Sequence, residues 1–524
     1  MAQTGSAASG PAPGAMQAPA AQGEANPNQA ARRFDILEYV VDGNTVLGVP
    51  DIEEAVYPFL GEQRNAADVD MARDALEKTY QMRGFQTVQV VIPEQGVDSG
   101  IIHLQVVENP VGRLRVVGSQ YHSLSDIRDT APSLAEGKVA NTNQVQNDIV
   151  ALNRQADLKV TPRLKPGAAP GTVDVDLEVE DTLPVHGTIE INNQYNQQTE
   201  PLRLVGSVSY DNLWQAGHSL SLSYQVAPQR ASDAQVYSGT YLWPVARSPL
   251  SILAYGVKSD SDVAALAGTD VVGRGTIFGL RGIINLPGGD NFYQSITAGI
   301  DRKNLTQNVI TSGTPSNSTV LYYPASLAYS ANWRQGEEVT SAGGSVNFAL
   351  PVGSNSQKLD LQRFGATRQY FYAKADLSRA QPMGNGYLVF GRIQGQITND
   401  PLLSSEQFSA GGANSVRGYL EAERLGDYGA IGTVEFRTPS FGQAVSPAVN
   451  DWHFLTFLDG GALWLREPLA GEKSSFTLAS AGIGTRFIAF DSLNAAADVA
   501  VAMVDGAVTK MGATRVHFRL WSGF

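Results

Sequence analysis

The sequence predicts a transmembrane β-barrel of about 16 antiparallel strands, preceded by two small α+β units. The barrel is predicted because apolar and polar side chains alternate with a period of two from residue 184 to the C-terminus. The two units are predicted because residues 34–183 carry the order β-α-α-β-β twice. No stretch approaches the ~18 consecutive apolar residues of a membrane-spanning helix, which argues against a helical membrane protein.

Composition narrows the functional class. The 524 residues include no cysteine, which excludes disulfides and cysteine-based metal sites, and only 17% of them are charged. The formal net charge is -13 without a Lys/Arg-rich run, so the sequence lacks the basic footprint of a nucleic-acid-binding protein. The six histidines have no metal-ligand spacing, and no nucleophile or phosphate-loop motif is present. We therefore expect no enzyme activity, no catalytic or metal site and no cofactor.

Residues 1–33 are predicted to form a disordered N-terminal arm. The first 30 residues are rich in Ala, Gly, Pro and Gln and cannot bury enough apolar surface to fold. They contain no basic segment followed by an apolar one, so we interpret the chain as a mature protein without its export signal. The composition of these 30 residues, taken alone, favours a spacer segment without a role of its own.

The two α+β units are assigned to residues 34–109 and 110–183. In the first, strand character is predicted at residues 34–47, helices at 51–60 and 68–83, and paired strands at 85–92 and 100–107. In the second, the matching segments are residues 111–117, 124–134, 143–155, 158–164 and 173–179. Each unit is expected to bury its own small core.

Residues 184–524 are assigned to the barrel. Leu220, Leu222 and Tyr224, for example, fall on one face of a strand, and serine and glutamine residues fall on the other. Because all backbone groups must be paired inside a membrane, strands with one lipid-compatible face close into a barrel. A soluble β-sandwich or propeller is the alternative, but so many strands with a polar second face fit a water-filled lumen better.

A loop near residues 403–428 contains the most informative motif, Val416-Arg417-Gly418-Tyr419. An arginine in a barrel lumen keeps its charge and needs a fixed acidic partner. Asp459, within the segment Phe457-Leu458-Asp459-Gly460-Gly461, lies on a predicted strand nearby. The pairing predicts a lock in the lumen.

Several segments together resemble one family. Residues 92–96 (Ile-Pro-Glu-Gln-Gly) and 100–108 are similar to the signature of the first periplasmic POTRA domain of two-partner secretion transporters (TpsB, ShlB/FhaC-like). Residues 406–419 resemble the conserved barrel loop of these proteins, and residues 432–439, 457–461 and 482–487 resemble the strands that follow it. The similarity covers residues 34–524 in the same order. Two POTRA units before a barrel of this size resemble the secretion transporters of the Omp85 superfamily.

The resemblance implies a pore in the outer membrane of a Gram-negative bacterium, with POTRA domains in the periplasm. Such a pore exports an unfolded exoprotein, an adhesin or haemolysin, without nucleotide hydrolysis. The exoprotein's N-terminal secretion domain would bind by adding a strand to a POTRA sheet edge. The candidate contact residues are Phe85, Val88, Val90, Leu158 and Val160. An outer-membrane insertase of the same superfamily is the alternative, whereas a passive porin would lack the two units.

The resemblance also implies roles for barrel residues. Arg417 would pair with Asp459, with Glu435 as a second candidate partner, and the pair would either release the loop during export or only staple it. Other residues of the barrel motif are Phe457, Gly461, Gly482 and Gly484. The C-terminal Phe524 resembles the signal read by the barrel-assembly machinery, and a monomer embedded in outer-membrane lipids is expected. Related transporters begin with a helix that plugs the pore, which the composition of residues 1–30 does not favour.

Overall fold

The computed structural model describes residues 33–524, apart from residues 154, 156, 247, 262, 267, 268, 273, 290, 312 and 313. The predicted N-terminal arm therefore lies outside the described residues, except for Arg33. The chain divides into two compact units at the boundary between Thr182 and Leu183. The first unit is α+β and the second is a β-barrel.

The α+β unit begins with a three-stranded sheet covered by two helices. Its elements are β1 Phe34–Ile36, β2 Glu38–Asp42, α1 Val49–Val56, a 3-10 helix Tyr57–Phe59, β3 Gly61–Arg64, α2 Ala66–Met82, β4 Gln89–Val91 and β5 Ile101–Val107. The sheet order is β2-β5-β4, with β2 parallel and β4 antiparallel to β5. Strands β1 and β3 form a separate pair. The predicted order β-α-α-β-β is present, with this additional pair.

The helix α2 has strong local signals at both ends. Asn65 accepts the N–H of Ala67, and Asp68 accepts the N–H of Asn65, which together cap the first turn. Val69, Ala72, Leu76 and Tyr80 follow at helical spacing and are buried in the core. Gly84, with φ +95°, ends the helix.

The remainder of the α+β unit repeats this architecture. It contains β6 Val111–Val117, α3 Leu124–Asp129, a 3-10 helix Pro132–Leu134, α4 Thr142–Leu152, β7 Leu158–Pro166 and β8 Val173–Asp181. The sheet order is β6-β8-β7, with β6 parallel and β7 antiparallel to β8. A second core forms around Leu114, Ile127, Leu152, Val175 and Leu177.

Two predicted strands of the first repeat are too long. The strand predicted at residues 85–92 is reduced to β4, because Phe85 instead donates its N–H to Tyr80 at the end of α2. The strand predicted at residues 34–47 is split into β1 and β2, and Gly43, with φ +83°, follows β2. Apolar periodicity located the segments but not these ends.

Sixteen of the described strands form one closed antiparallel barrel, which confirms the predicted fold and strand number. They are β9 Val185–Asn192, β10 Arg203–Leu213, β11 His218–Val226, β12 Gln235–Pro244, β13 Leu250–Ser259, β16 Arg274–Gly289, β17 Phe292–Thr311, β18 Thr314–Gln335, β19 Glu338–Gly353, β20 Phe371–Gly384, β21 Tyr387–Thr398, β24 Tyr428–Arg437, β25 Val449–Trp464, β26 Ser475–Ala489, β27 Leu493–Ala502 and β28 Thr514–Gly523. The first strand, β9, pairs with the last, β28, so the sheet has no free edge.

The connections of the barrel carry shorter elements. These are a 3-10 helix Ala231–Asp233, the pair β14 Val263–Leu266 and β15 Thr269–Val272, α5 Ser356–Gln362, the pair β22 Phe408–Ala410 and β23 Arg424–Gly426, and α6 Gly442–Val445. In the described part of the chain, the helices are too short or too polar to cross a membrane.

The outer face of the barrel is apolar. Leu222, Phe371, Leu377, Ile393 and Leu458 are all exposed and alternate with residues that face the interior. Val516, Phe518 and Leu520 on the last strand are exposed as well. This alternation places a hydrocarbon-compatible surface outside and the polar side chains inside.

Candidate functional site in the barrel lumen

The connection between β21 and β24, residues 399–427, is here called the lumenal loop. It holds the Val-Arg-Gly-Tyr tetrapeptide, and its tip packs against the inner face of strands β24 to β28. Val416 and Tyr419 are fully buried there, in a cluster with Phe408, Ile431 and Leu478. The loop is therefore an ordered part of the barrel interior.

Arg417 is 3% exposed and is bound by two carboxylates. Its Nε donates to Oδ2 of Asp459 at 2.9 Å, and its Nη2 donates to Oδ1 of the same carboxylate at 2.7 Å. Its backbone N–H also donates to Asp459, at 3.1 Å. Nη1 donates to Oε1 of Glu435 at 2.7 Å. Such bidentate, charge-assisted bonds are roughly twice as strong as neutral hydrogen bonds.

The charges around Arg417 balance. Glu435 also accepts from Nη2 of Arg437 at 2.7 Å, so two guanidinium groups face two carboxylates. A neutral cluster of this kind avoids an uncompensated buried charge. The ring of Phe457 stacks on the guanidinium of Arg417, with 3.4 Å between the guanidinium carbon and the ring centroid. The predicted partners, Asp459 and Glu435, thus both lie in contact with Arg417.

The spacing of the motif on β25 follows from the period of a strand. Phe457, Asp459 and Gly461 lie at every second position of the strand and all face inward. One strand therefore supplies the stacking ring, the carboxylate and a position without a side chain. A side chain at Gly461 would meet Ile431 at 3.2 Å and Val416 at 3.6 Å. The glycines of β26 have a related role, because a Cβ at Gly482 would collide with the Phe457 ring and one at Gly484 with Asp498.

Several residues that complete the site were not predicted. Thr433 and Ser480 both donate their hydroxyl groups to the carboxylate of Asp459. Nε2 of His517, on the last strand, donates to the carbonyl oxygen of Arg417 at 2.7 Å. The inward face of β24 could have identified Thr433, which lies two residues from Glu435, but no local signal links His517 to the loop.

Tyr419 holds the tip at a second point. Its hydroxyl group lies 2.7 Å from the carbonyl oxygen of Val504 and 3.0 Å from that of Ala479. Beside Arg417 lies an open cavity of about 150 Å³. Polar residues that line it include Arg392, Gln394, Asn414, Ser415 and Thr433. The tip therefore borders open space on one side and the barrel wall on the other.

The candidate contacts in the α+β unit do not face solvent. Val88 and Val90 are buried in the first core, Leu158 and Val160 are buried in the second, and Phe85 packs partly against the first. The four buried side chains face the helices that cover each sheet, so a contact with an exported chain there would involve the backbone. The assignment of the five residues to exoprotein binding stays a prediction. The backbones of β4 and β7 do lie at sheet edges.

Comparison with known proteins identifies the family. The model of the family described as haemolysin secretion/activation protein ShlB/FhaC/HecB matches residues 171–487, and that of the ShlB-type POTRA domain matches residues 34–109. The outer membrane transporter CdiB of Dickeya dadantii (strain 3937) is 22% identical over 82% of this chain and 76% of its own length. The heme/hemopexin transporter protein HuxB of Haemophilus influenzae (strain 86-028NP) is 21% identical over the same two shares.

A solved structure supports the same fold. CdiB from Escherichia coli aligns with 97% of this chain and 93% of its own, with a TM-score of 0.66 and 19% identity. The named relatives place the barrel in the outer membrane and the POTRA region in the periplasm. Since the first family model covers more than half of the sequence, this chain belongs to the ShlB/FhaC/HecB family of haemolysin secretion/activation proteins, which are outer-membrane transporters of two-partner secretion.

Proposed function

We propose that this transporter exports an unfolded exoprotein from the periplasm through the barrel lumen, and that the lumenal loop closes the path until export begins. The observation that carries the proposal is the non-covalent attachment of Arg417 to Asp459 and Glu435. These contacts fix the loop tip inside the lumen, yet nothing covalent prevents its release. The contacts of Arg417 therefore break during export and do not only hold the barrel together.

The strength of the attachment sets the resting state. Removing one partner from a buried ion pair costs about 3–5 kcal/mol. A detached tip would leave Asp459 and Glu435 without their main cation, so thermal motion alone would detach it in roughly one molecule in a hundred or fewer. The arriving exoprotein must therefore supply the free energy of opening, and its folding outside the cell prevents backward movement. No nucleotide is required.

The exoprotein first binds the periplasmic unit, in which we assign residues 110–182 to a second POTRA domain. The edge of β7 is poorly suited to strand addition. Asn153 donates its side-chain amide to the carbonyl oxygen of Val160 at 3.1 Å and accepts the N–H of Val160 at 2.6 Å. Alternate residues of an antiparallel strand face the same edge, so Pro162 and Pro166 present this edge without an N–H.

The edge of β4 is better suited. Val90 directs its N–H away from β5, towards Oε2 of Glu77 at 3.1 Å, and β4 contains no proline. An extended segment of the exoprotein can replace this single carboxylate and add backbone hydrogen bonds to the sheet. We therefore propose β4 as the first docking edge. The protein works as a monomer, and Phe524, which is 81% exposed, is read by the barrel-assembly machinery.

Secretion of the partner exoprotein tests the proposal. Arg417→Ala leaves Asp459 and Glu435 as uncompensated charges in the path and leaves the tip without a fixed resting position. It should therefore lower the secreted amount by at least tenfold, while the amount and heat-modifiability of the barrel stay normal. Arg379→Ala is the matched control, because Arg379 on β20 also pairs with a carboxylate, Glu338, at 2.7 Å, but at a half-exposed site. If Arg417→Ala lowers only the amount of assembled barrel, the pair is a staple. If deletion of the gene depletes many outer-membrane proteins, the protein is an insertase.

A further inference from the structure

The lumenal loop is attached to the barrel at two separate places. Its base, defined as residues 399–410 and 424–427, carries Glu406 and Asp427. Its tip, defined as residues 411–423, carries Arg417 and Tyr419. The base and the tip differ in their partners, and this difference bears on which part of the loop moves.

Glu406 fixes the base to strands that precede the loop in the sequence, whereas Arg417 contacts β24 and β25, which follow it. Its carboxylate is 2% exposed and accepts from Nζ of Lys303 at 2.6 Å, from the hydroxyl of Tyr322 at 2.7 Å and from the hydroxyl of Tyr372 at 2.8 Å. These donors lie on β17, β18 and β20. One carboxylate thus ties the loop to three strands.

Asp427 fixes the other end of the base. It is fully buried and accepts the N–H of Leu402 at 2.9 Å, the amide of Gln407 at 2.9 Å and the N–H of Arg466 at 2.7 Å. The side-chain amide of Gln396 donates to the carbonyl oxygens of both Glu406 and Asp427. The two ends of the loop are therefore joined to each other as well as to the wall.

The tip is a compact body with its own hydrogen bonds. The N–H of Ala422 donates to the carbonyl oxygen of Gly411 at 3.1 Å, and the N–H of Ala413 donates to the carboxylate of Glu421 at 2.8 Å. Gly411 and Gly412 join it to the base with φ values of +109° and +111°, which only glycine adopts without strain. A change in the backbone torsions of these two glycines, together with a change at the other junction between residues 423 and 424, would turn the tip relative to the base.

We propose that only the tip of the lumenal loop moves, turning at Gly411 and Gly412, and that Glu406 is the positioning residue that keeps the base on the wall. This inference rests on the proposed release of the loop.

The base is held by two buried carboxylates, one of which reaches three strands. The tip is held by Arg417, by the hydroxyl of Tyr419, and by Glu423, which accepts the N–H groups of Val508 and Thr509 in the connection between β27 and β28. All three tip contacts must break when the tip is released. After export, an anchored base returns the tip to the same position.

Two matched cross-links test which part moves, and the native chain has no cysteine to interfere. A Cβ at Gly418 would lie 2.7 Å from Cβ of Ser480, and a Cβ at Gly426 would lie 2.7 Å from Cβ of Leu463. A disulfide in either place requires a separation about 1 Å larger. The pair Gly418→Cys/Ser480→Cys ties the tip to β26, and the pair Gly426→Cys/Leu463→Cys ties the base to β25.

The readout is ion conductance of the full-length protein in planar lipid bilayers in KCl, in an Arg417→Ala background that loosens the tip. We expect the oxidised tip cross-link to lower the frequency of openings at least tenfold, with recovery on reduction, and the base cross-link to change it less than twofold. If the base cross-link also closes the channel, the whole loop moves. The inference about the tip then fails, but the proposed release of the loop stands. If neither cross-link has an effect, the loop does not gate conductance, and both the inference and the proposed release fail.

A second variant keeps the test valid if one cross-linked protein does not fold. Glu406→Gln retains the shape of the side chain but loses the charge that binds Lys303. We expect more frequent openings in Glu406→Gln and a return to the parental frequency when the base cross-link is added and oxidised. An unchanged opening frequency in Glu406→Gln, or the absence of rescue, would overturn the anchoring role.

Discussion

His517 and Arg417 are joined by a hydrogen bond in which Nε2 of the histidine donates to the carbonyl oxygen of the arginine at 2.7 Å. The histidine lies on the last strand, is 5% exposed, and approaches the backbone of the residue whose side chain holds Asp459. The loop tip is thus secured by the side chain and the backbone of one residue. Both contacts must break when the tip leaves the wall.

His517→Ala should therefore make the tip easier to detach. A buried carbonyl without a partner costs about 1–3 kcal/mol, so openings in planar bilayers should become roughly tenfold more frequent. His517→Gln keeps an N–H donor and should have a smaller effect. His453→Ala is the control, because His453 pairs with Asp451 at 2.9 Å and has no contact with the loop. Equal opening frequencies in His517→Ala and the wild type would show that this bond does not hold the tip.

Glu77→Ala should increase the affinity of the periplasmic unit for the secretion domain of the exoprotein. The variant leaves the N–H of Val90 unpaired, and an incoming strand that pairs it recovers about 1–3 kcal/mol. Isothermal titration with the purified secretion domain measures the change. Asn153→Ala, which frees Val160 on β7, is the matched control and should change little, because Pro162 and Pro166 remain on that edge. If Asn153→Ala raises the affinity for the secretion domain more than Glu77→Ala does, docking takes place on β7.

Asn141 caps two helices of different repeats. Its Oδ1 accepts the N–H of Asn143 at the start of α4, and its Nδ2 donates to the carbonyl oxygen of Arg83 at the end of α2. Asn141→Asp keeps the first bond and loses the second, whereas Asn141→Ala loses both, at about 1 kcal/mol for the N-cap. Next to this contact, the N–H of Thr142 donates to the carbonyl oxygen of Gly84 at 2.8 Å.

Hydrogen exchange distinguishes the two Asn141 variants. We expect faster exchange at Thr142 in both, but loss of protection at Asn143 and Gln144 only in Asn141→Ala. Asn143→Ala, at an exposed neighbouring position, should leave Thr142 protected. Wild-type exchange at Thr142 in Asn141→Asp would mean that the amide does not hold the two repeats together.

The stability of the periplasmic unit should fall in acid because of Asp181. Burial raises the pKa of this carboxyl, but the N–H groups of Tyr121 and Gln120 and the hydroxyl of Ser119 outweigh burial and lower the pKa to about 2. The unfolded value is about 3.9, so the stabilisation of about 2–3 kcal/mol is complete above about pH 4 and is lost as the pH falls through about 2.

Urea unfolding of residues 33–182, followed by circular dichroism, measures this contribution. Asp181→Asn should be less stable than the wild type by that amount at pH 7, and the difference should shrink below pH 4. Asp129→Asn, at an exposed site at the end of α3, should have no comparable effect. A difference between Asp181→Asn and the wild type that does not depend on pH would contradict the assigned cause.

The architecture was predictable because it depends on periodicity. Alternating residues such as Leu220 and Leu222 specify a strand with one lipid face, and the length of the alternating region gives the 16 strands that the barrel contains. The contact of Arg417 with Asp459 was also predictable, because a buried cation requires an anion and β25 offers one beside an aromatic residue. In these cases the chemistry is local or strictly periodic.

What the sequence did not predict has a common physical cause. Val88, Val90, Leu158 and Val160 were proposed as contact residues from their strand segments, and the direction in which their side chains turn, towards the covering helices, was not predicted. His517 and Glu406 were not given roles, because their partners are distant in sequence and barrel register alone brings them together. Sequence patterns identify faces of elements well, but not the contacts that depend on tertiary register.

Closure of the barrel between β9 and β28 has a kinetic consequence. The ion pair between Arg519 and Glu190, at 2.7 Å, joins residues that are 329 positions apart. Contacts of such high sequence separation form late and slowly. The wall cannot become a ring until the C-terminal strand has been synthesised and delivered, so nascent chains must survive a long interval with two unsatisfied strand edges, during which chaperones are needed to prevent aggregation.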